Sequence, residues 1–160
     1  ISIMSELRTN RIVPRDGLPS GSSGGVIQVR YGFTTTIVDS NSNSYIDSGI
    51  TASITPTRSD SKVLVMTSIS GVQKNTNNTY LKARLVRDST EIALLDDGAG
   101  YTDAAGYNLV GSVSTNCVDS PATTSSVTYK VQFMSAGNVA TVRVQTNNSL
   151  STIVLMEIAG

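Results

Sequence analysis

The side chains best placed to do chemistry gather in one short stretch. Leu95-Asp96-Asp97-Gly98-Ala99-Gly100-Tyr101-Thr102-Asp103 sets three carboxylates around a glycine turn, a donor set that suits a hard cation such as calcium. The stretch lacks the alternating ligands and closing glutamate of an EF-hand, so its carboxylates are expected to be solvated and no metal site is expected. The same region carries Tyr101 and Tyr107. Each ring offers an apolar face and a polar tip to a sugar or a protein surface. Tyr101, Asp103 and Tyr107 are therefore the candidate receptor contacts.

Catalysis has little to work with. The chain contains no His, which removes the usual general base at neutral pH and the commonest metal ligand. Serine is plentiful, but no Gly-x-Ser-x-Gly elbow holds one as a nucleophile. Asp96 and Asp97 would point to opposite faces of a strand, a poor start for the paired carboxylates of glycan hydrolysis. The expectation is a protein without enzymatic activity and without a cofactor. The single Cys excludes an intrachain disulfide and a thiolate zinc site. Cys117 falls in phase with Leu109 and Val113 and reads as a small buried hydrophobe. The triplets Asn77-Asn78-Thr79 and Asn147-Asn148-Ser149 are what chance supplies in a chain so rich in Asn, Ser and Thr.

Elements must position these residues, and composition bounds what the elements are. The 160 residues carry 12 Lys and Arg against 12 Asp and Glu. That neutral balance argues against a nucleic-acid partner. No apolar run approaches the roughly 18 residues a membrane helix needs, so no membrane insertion is expected. Residues 1–25 lack the apolar stretch of a signal peptide. Ser and Thr make up about a quarter of the chain, favouring turns and exposed strand faces over helix interiors.

From Val26 onward apolar residues recur with period two. Ile27, Val29, Tyr31 and Phe33 alternate with Gln28, Arg30 and Gly32. The same pattern holds at Ile50, Ala52 and Ile54; at Leu81, Ala83 and Leu85; at Val127, Tyr129, Val131 and Phe133; and at Ala140, Val142 and Val144. Each run reads as a strand with one face in the core and one wet. Turn signals at 39–43, 75–78, 97–98, 136–138 and 147–149 separate the strands. Glu91-Ile92-Ala93-Leu94-Leu95 is too short for a helix on its own and is expected to pair with the preceding strand. About eight or nine strands at this spacing predict an all-β, antiparallel β-sandwich of the jelly-roll kind over 26–160.

Two runs break the alternation. Val63-Leu64-Val65-Met66 and Ile153-Val154-Leu155-Met156 are apolar on both faces. A sandwich wets one face of each sheet, so a two-sided strand needs a second cover. Burying each such side chain is worth about 1.5–3 kcal/mol, and another copy of the chain is the simplest cover. Leu64, Met66, Val154 and Met156 are thus the candidate oligomer interface.

Residues 1–25 read as an extended arm that ends in a Gly/Ser linker, with no helical period and a need for a partner to order it. The segment Ser5-Glu6-Leu7-Arg8-Thr9-Asn10-Arg11-Ile12-Val13-Pro14-Arg15, a Gly/Pro/Ser spacer and Gly24-Gly25-Val26-Ile27-Gln28-Val29 resembles the N-terminus of tail-fibre and tail-tip structural proteins of tailed bacteriophages. The resemblance implies an arm that anchors the protein to the phage tail or baseplate, with the distal domain facing the host. Leu7, Ile12 and Val13 would then seat in apolar slots, Arg8, Asn10 and Arg11 would fix register, and Pro14 completes the set of anchor residues. Across 45–159, the strand pattern, the short loops and the apolar last strand are similar to the trimeric jelly roll of the complement-head and tumour-necrosis-factor class. That likeness implies a homotrimer. Together these readings suggest a virion structural protein located in the tail, with a host surface glycan or protein as its outer partner. A capsid decoration or head fibre, and a carbohydrate-binding domain, are the alternatives.

Overall fold

The computed structural model describes residues 25–106 and 108–160, with the backbone alone at 108–110. The anchoring residues Leu7 to Pro14, and Tyr107, lie outside the described residues. The strands are β1 (Val26–Thr34), β2 (Val38–Ser40), β3 (Ile46–Ile54), β4 (Lys62–Lys74), β5 (Thr79–Arg87), β6 (Thr90–Ala99), β7 (Asn108–Asp119), β8 (Val127–Gly137), β9 (Val142–Val144) and β10 (Ser151–Ile158). Every pairing between them is antiparallel.

Two sheets form. One has the order β3-β8-β5-β6. In the other, β1 pairs with β10 and β2 with β9, while β10 and β9 both pair with β4. β2 therefore continues β1, and β10 continues β9. The second sheet is in effect (β1/β2)-(β9/β10)-β4-β7, with β7 on the far edge of β4. Consecutive strands that change sheets around two four-column layers make the jelly-roll pattern. The predicted fold class is what the chain adopts.

The alternating residues explain the core. Leu81, Ala83 and Leu85 of β5, Tyr129, Val131 and Phe133 of β8, Val142 and Val144 of β9, and Ile153 and Leu155 of β10 are fully buried between the sheets. Glu91 to Leu95 lie in β6 and pair with β5, as expected. Asp97-Gly98, expected to be a turn, lies inside β6 instead; three register shifts along the β5–β6 ladder absorb it. Cys117 packs half-buried against the core beside buried Val113, and burial pushes its thiol pKa up.

β1 departs from the expectation. Val29, Tyr31 and Phe33 are 48%, 55% and 64% exposed, so the apolar side of β1 faces outward. The inward side holds Gly32, where a Cβ would come within 1.9 Å of the Thr51 carbonyl oxygen on β3. At Gly32, β1 runs so close to β3 that no side chain fits between them. Alternation shows that a strand has an apolar side but not which way that side points.

The strands place the loops at two ends. Gly25, loops 55–61, 88–89 and 120–126, and Ala159 share the proximal end, where the Ala159 amide donates to the Gly25 carbonyl at 2.9 Å. Loops 41–45, 75–78, 100–106 and 138–141 share the distal end.

Candidate interaction surfaces

Sheet register builds the first surface. Residues opposite one another across a ladder share a face. Val29 lies opposite Met156, Met156 opposite Leu64, and Leu64 opposite Val118. The next row on this face is Tyr31, Val154, Met66 and Asn116; after it come Phe33, Thr152, Ser68 and Ser114. Because Val63, Val65, Ile153 and Leu155 are fully buried, their strand neighbours Leu64, Met66, Val154 and Met156 point outward. The structure thus brings the four candidate interface residues into two adjacent rows of the central strands. It adds Val29, Tyr31, Phe33 and exposed Val118, which sequence reading placed elsewhere or passed over. Tyr31 and Phe33 stack with ring centroids 5.7 Å apart. Towards the distal end the face turns to hydroxyls, with Ser114 and Ser68 hydrogen-bonded at 3.2 Å.

The outer face of the other sheet has the opposite chemistry. Asp47 pairs with Lys130 at 2.9 Å and accepts from Gln132 at 2.7 Å. Those hydrogen bonds, Gln132 first and then Lys130, hold its carboxyl below the usual value. Arg84 donates to Gln132 and to Glu91 at 2.9 Å, and its guanidinium lies 4.0 Å over the Tyr45 ring. Lys82 pairs with Asp97 at 2.6 Å, which raises the Lys82 pKa. Every charge here has a partner and tolerates water. The three rows of the apolar face carry no charged residue.

The second surface is the distal end. Tyr101 is exposed; its hydroxyl donates to Asn78 Oδ1 at 3.1 Å and its ring meets Tyr80 edge-on at 5.9 Å. Asp103 is exposed in the same loop. Tyr101 and Asp103 are therefore close together at the end opposite Gly25. Asp97, two residues before the loop, is held by Lys82 rather than by its acidic neighbours. Among the described residues no group of three His, Cys, Asp or Glu could hold a metal ion. An open cleft of mixed character, lined by Ser70, Val72, Ser112, Thr146, Asn147 and Leu150 among others, sits where β9 and β10 are interrupted.

The proximal end carries a buried carboxylate. Glu157 is fully buried; it accepts from Gln28 at 2.6 Å and from the Thr57 amide and hydroxyl at 2.7 and 2.8 Å. Burial pushes its pKa up, but the hydrogen bonds outweigh this and leave it below the ordinary value. The second Gln28 amide proton goes to the Thr55 carbonyl at 2.7 Å. This knot ties the start of β1 to β10 and to the β3–β4 loop.

No family model and no curated protein matches the sequence. Among solved structures, the chain is similar to the infectious bursal disease virus VP2 subviral particle, with a TM-score of 0.52 at 14% identity. The match covers 96% of this chain and 38% of that one, so the chain spans well under half the length of its structural neighbour. At that identity the likeness establishes the architecture: an antiparallel β-sandwich of the jelly-roll kind, also found in a viral particle.

Proposed function

We propose that the chain is a virion structural subunit, a homotrimer whose N-terminal arm docks on the phage tail and whose distal loops meet the host surface. The observation that carries this reading is the uncovered apolar face of β1, β10, β4 and β7. Exposed apolar patches of this kind mark interaction sites, and the paired charges of the opposite face make the contrast within one molecule. Copies of the chain are the cover, because the same face then repeats around a closed ring. The anchor residues Leu7, Arg8, Asn10, Arg11, Ile12, Val13 and Pro14 lead into Gly25 at the proximal end, so the arm leaves from the pole opposite Tyr101 and Asp103. Multivalency then raises the strength of weak individual loop contacts.

Light scattering on the full chain tests the reading. The expected mass is three times the 16.8 kDa of one chain. Val154→Lys together with Met66→Lys should reduce it to a folded monomer, whereas Thr51→Lys, on the other sheet's wet face, should leave it unchanged. A wild-type monomer in dilute solution overturns the proposal.

A second reading, in which the shell is the capsid rather than the tail, draws on the likeness to a subviral particle. A pull-down with a peptide of residues 4–25 separates the two: capture of purified tail subunits favours the first, and capture of capsid subunits the second.

A further inference from the structure

The distal loop is held by a buried ammonium set among main-chain carbonyls. Lys74 ends β4 and is 1% exposed, yet among the described residues no carboxylate forms an ion pair with it. Its ammonium donates instead to three main-chain carbonyls: Thr76 at 2.9 Å, Thr102 at 2.8 Å and Ala104 at 2.9 Å. An ammonium has three donors, and all three are used. Thr76 belongs to the β4–β5 turn, while Thr102 and Ala104 flank Asp103 in the β6–β7 loop.

That loop makes no ladder hydrogen bonds of its own between 100 and 106. Its other ties include the hydrogen bond from the Tyr101 hydroxyl to Asn78 Oδ1 at 3.1 Å and the edge contact of the Tyr101 ring with Tyr80. The Asn78 amide donates to the Thr102 carbonyl at 2.8 Å, and the Tyr101 amide to the Gly98 carbonyl at 3.0 Å. A buried charge is costly unless dipoles surround it, and an apolar side chain would fill the same volume without that cost. What an apolar residue could not do is give three inward-pointing carbonyls their donors.

We propose that Lys74 is the positioning residue of the distal surface. Its ammonium staples the β6–β7 loop to the β4–β5 turn, so that Tyr101 and Asp103 are presented in one conformation before any partner arrives. Such pre-ordering removes an entropic cost from binding. The purpose assigned to the staple rests on the host-contact reading above, but the staple itself does not.

The test is amide hydrogen exchange on the full chain, read at Asn78 and Tyr101, with Leu85 and Val131 as core references. In Lys74→Ala, exchange at Asn78 and Tyr101 should rise by about tenfold or more while the core stays protected. The missing atoms correspond to n-propylammonium, which should restore protection. n-Propanol, which fills the same space without the charge and its three donors, should not. Lys74→Met, which fills the volume and keeps the core packed, should also lose protection at both amides. Unchanged exchange in Lys74→Met, or equal rescue of Lys74→Ala by propanol, overturns the staple. If protection falls but particles carrying the variant attach to host cells as before, the staple stands and the host-contact reading of the loop fails.

Discussion

Glu157 and Tyr129 make stability depend on pH in opposite directions. Glu157 ionises more readily folded than unfolded, because Gln28 and Thr57 hydrogen-bond its carboxylate despite burial. The stability it contributes is intact above its ordinary value of 4.5 and drains away as the pH falls from there through the lower folded value. Tyr129 behaves oppositely. Burial, then its hydrogen bond to Asp119 at 2.7 Å, pushes its phenol well above the ordinary 10.0. That contribution is intact below pH 10.0 and is lost as the pH climbs from there through the raised folded value. Urea unfolding across pH should show both limbs. Glu157→Gln should cost about 1–3 kcal/mol at neutral pH and flatten the acid limb, so that the variant and wild type converge as the pH falls below 4.5 through the lower folded value. Tyr129→Phe should flatten the alkaline limb. Asp119 also pairs with Arg87, so one carboxylate joins β7 of one sheet to β5 and β8 of the other.

At the scale of elements, β1 shows why position in the sandwich overrides pattern. The strand is held by β10 along one edge and passes against β3 at Gly32. Gly32→Ala would place a methyl group 1.9 Å from the Thr51 carbonyl oxygen, a backbone atom that cannot swing aside. The expected cost is about 1–3 kcal/mol or more, seen as a lower urea midpoint. β9 and β10 depend on a similar close approach. Gly71, at φ +64°, lies against the interruption between them, where a Cβ would come within 2.5 Å of the Thr146 amide nitrogen. The interruption lets one long strand column bend without losing its two-part pairing to β4.

The whole molecule is polar in two senses. Along the strands, Gly25 and the Tyr101 loop occupy opposite ends. Across the sheets, a dry outer face opposes a wet one. Both axes suit a subunit that is fixed at one end, presented at the other and surrounded by copies on one side. Deleting residues 4–25 should leave a folded, oligomeric domain, checked by circular dichroism and light scattering, that no longer joins virions. Unfolding of the deletion would place the arm within the core.

The strand content, the sandwich class and most of the core were legible in the sequence, because side-chain period alone reports an extended strand with one buried side. The runs at Val63 to Met66 and Ile153 to Met156 were legible as apolar on both faces, and the burial of Val63, Val65, Ile153 and Leu155 is what turns Leu64, Met66, Val154 and Met156 outward. What period could not reveal was direction. Val29, Tyr31 and Phe33 look like core residues and are surface ones, because only the packing of Gly32 against Thr51 decides which side of β1 turns inward. Lys74 was equally silent: in sequence it is one more cation at the end of a strand. Its burial and its three carbonyl partners exist only once the fold brings residues 76, 102 and 104 around it.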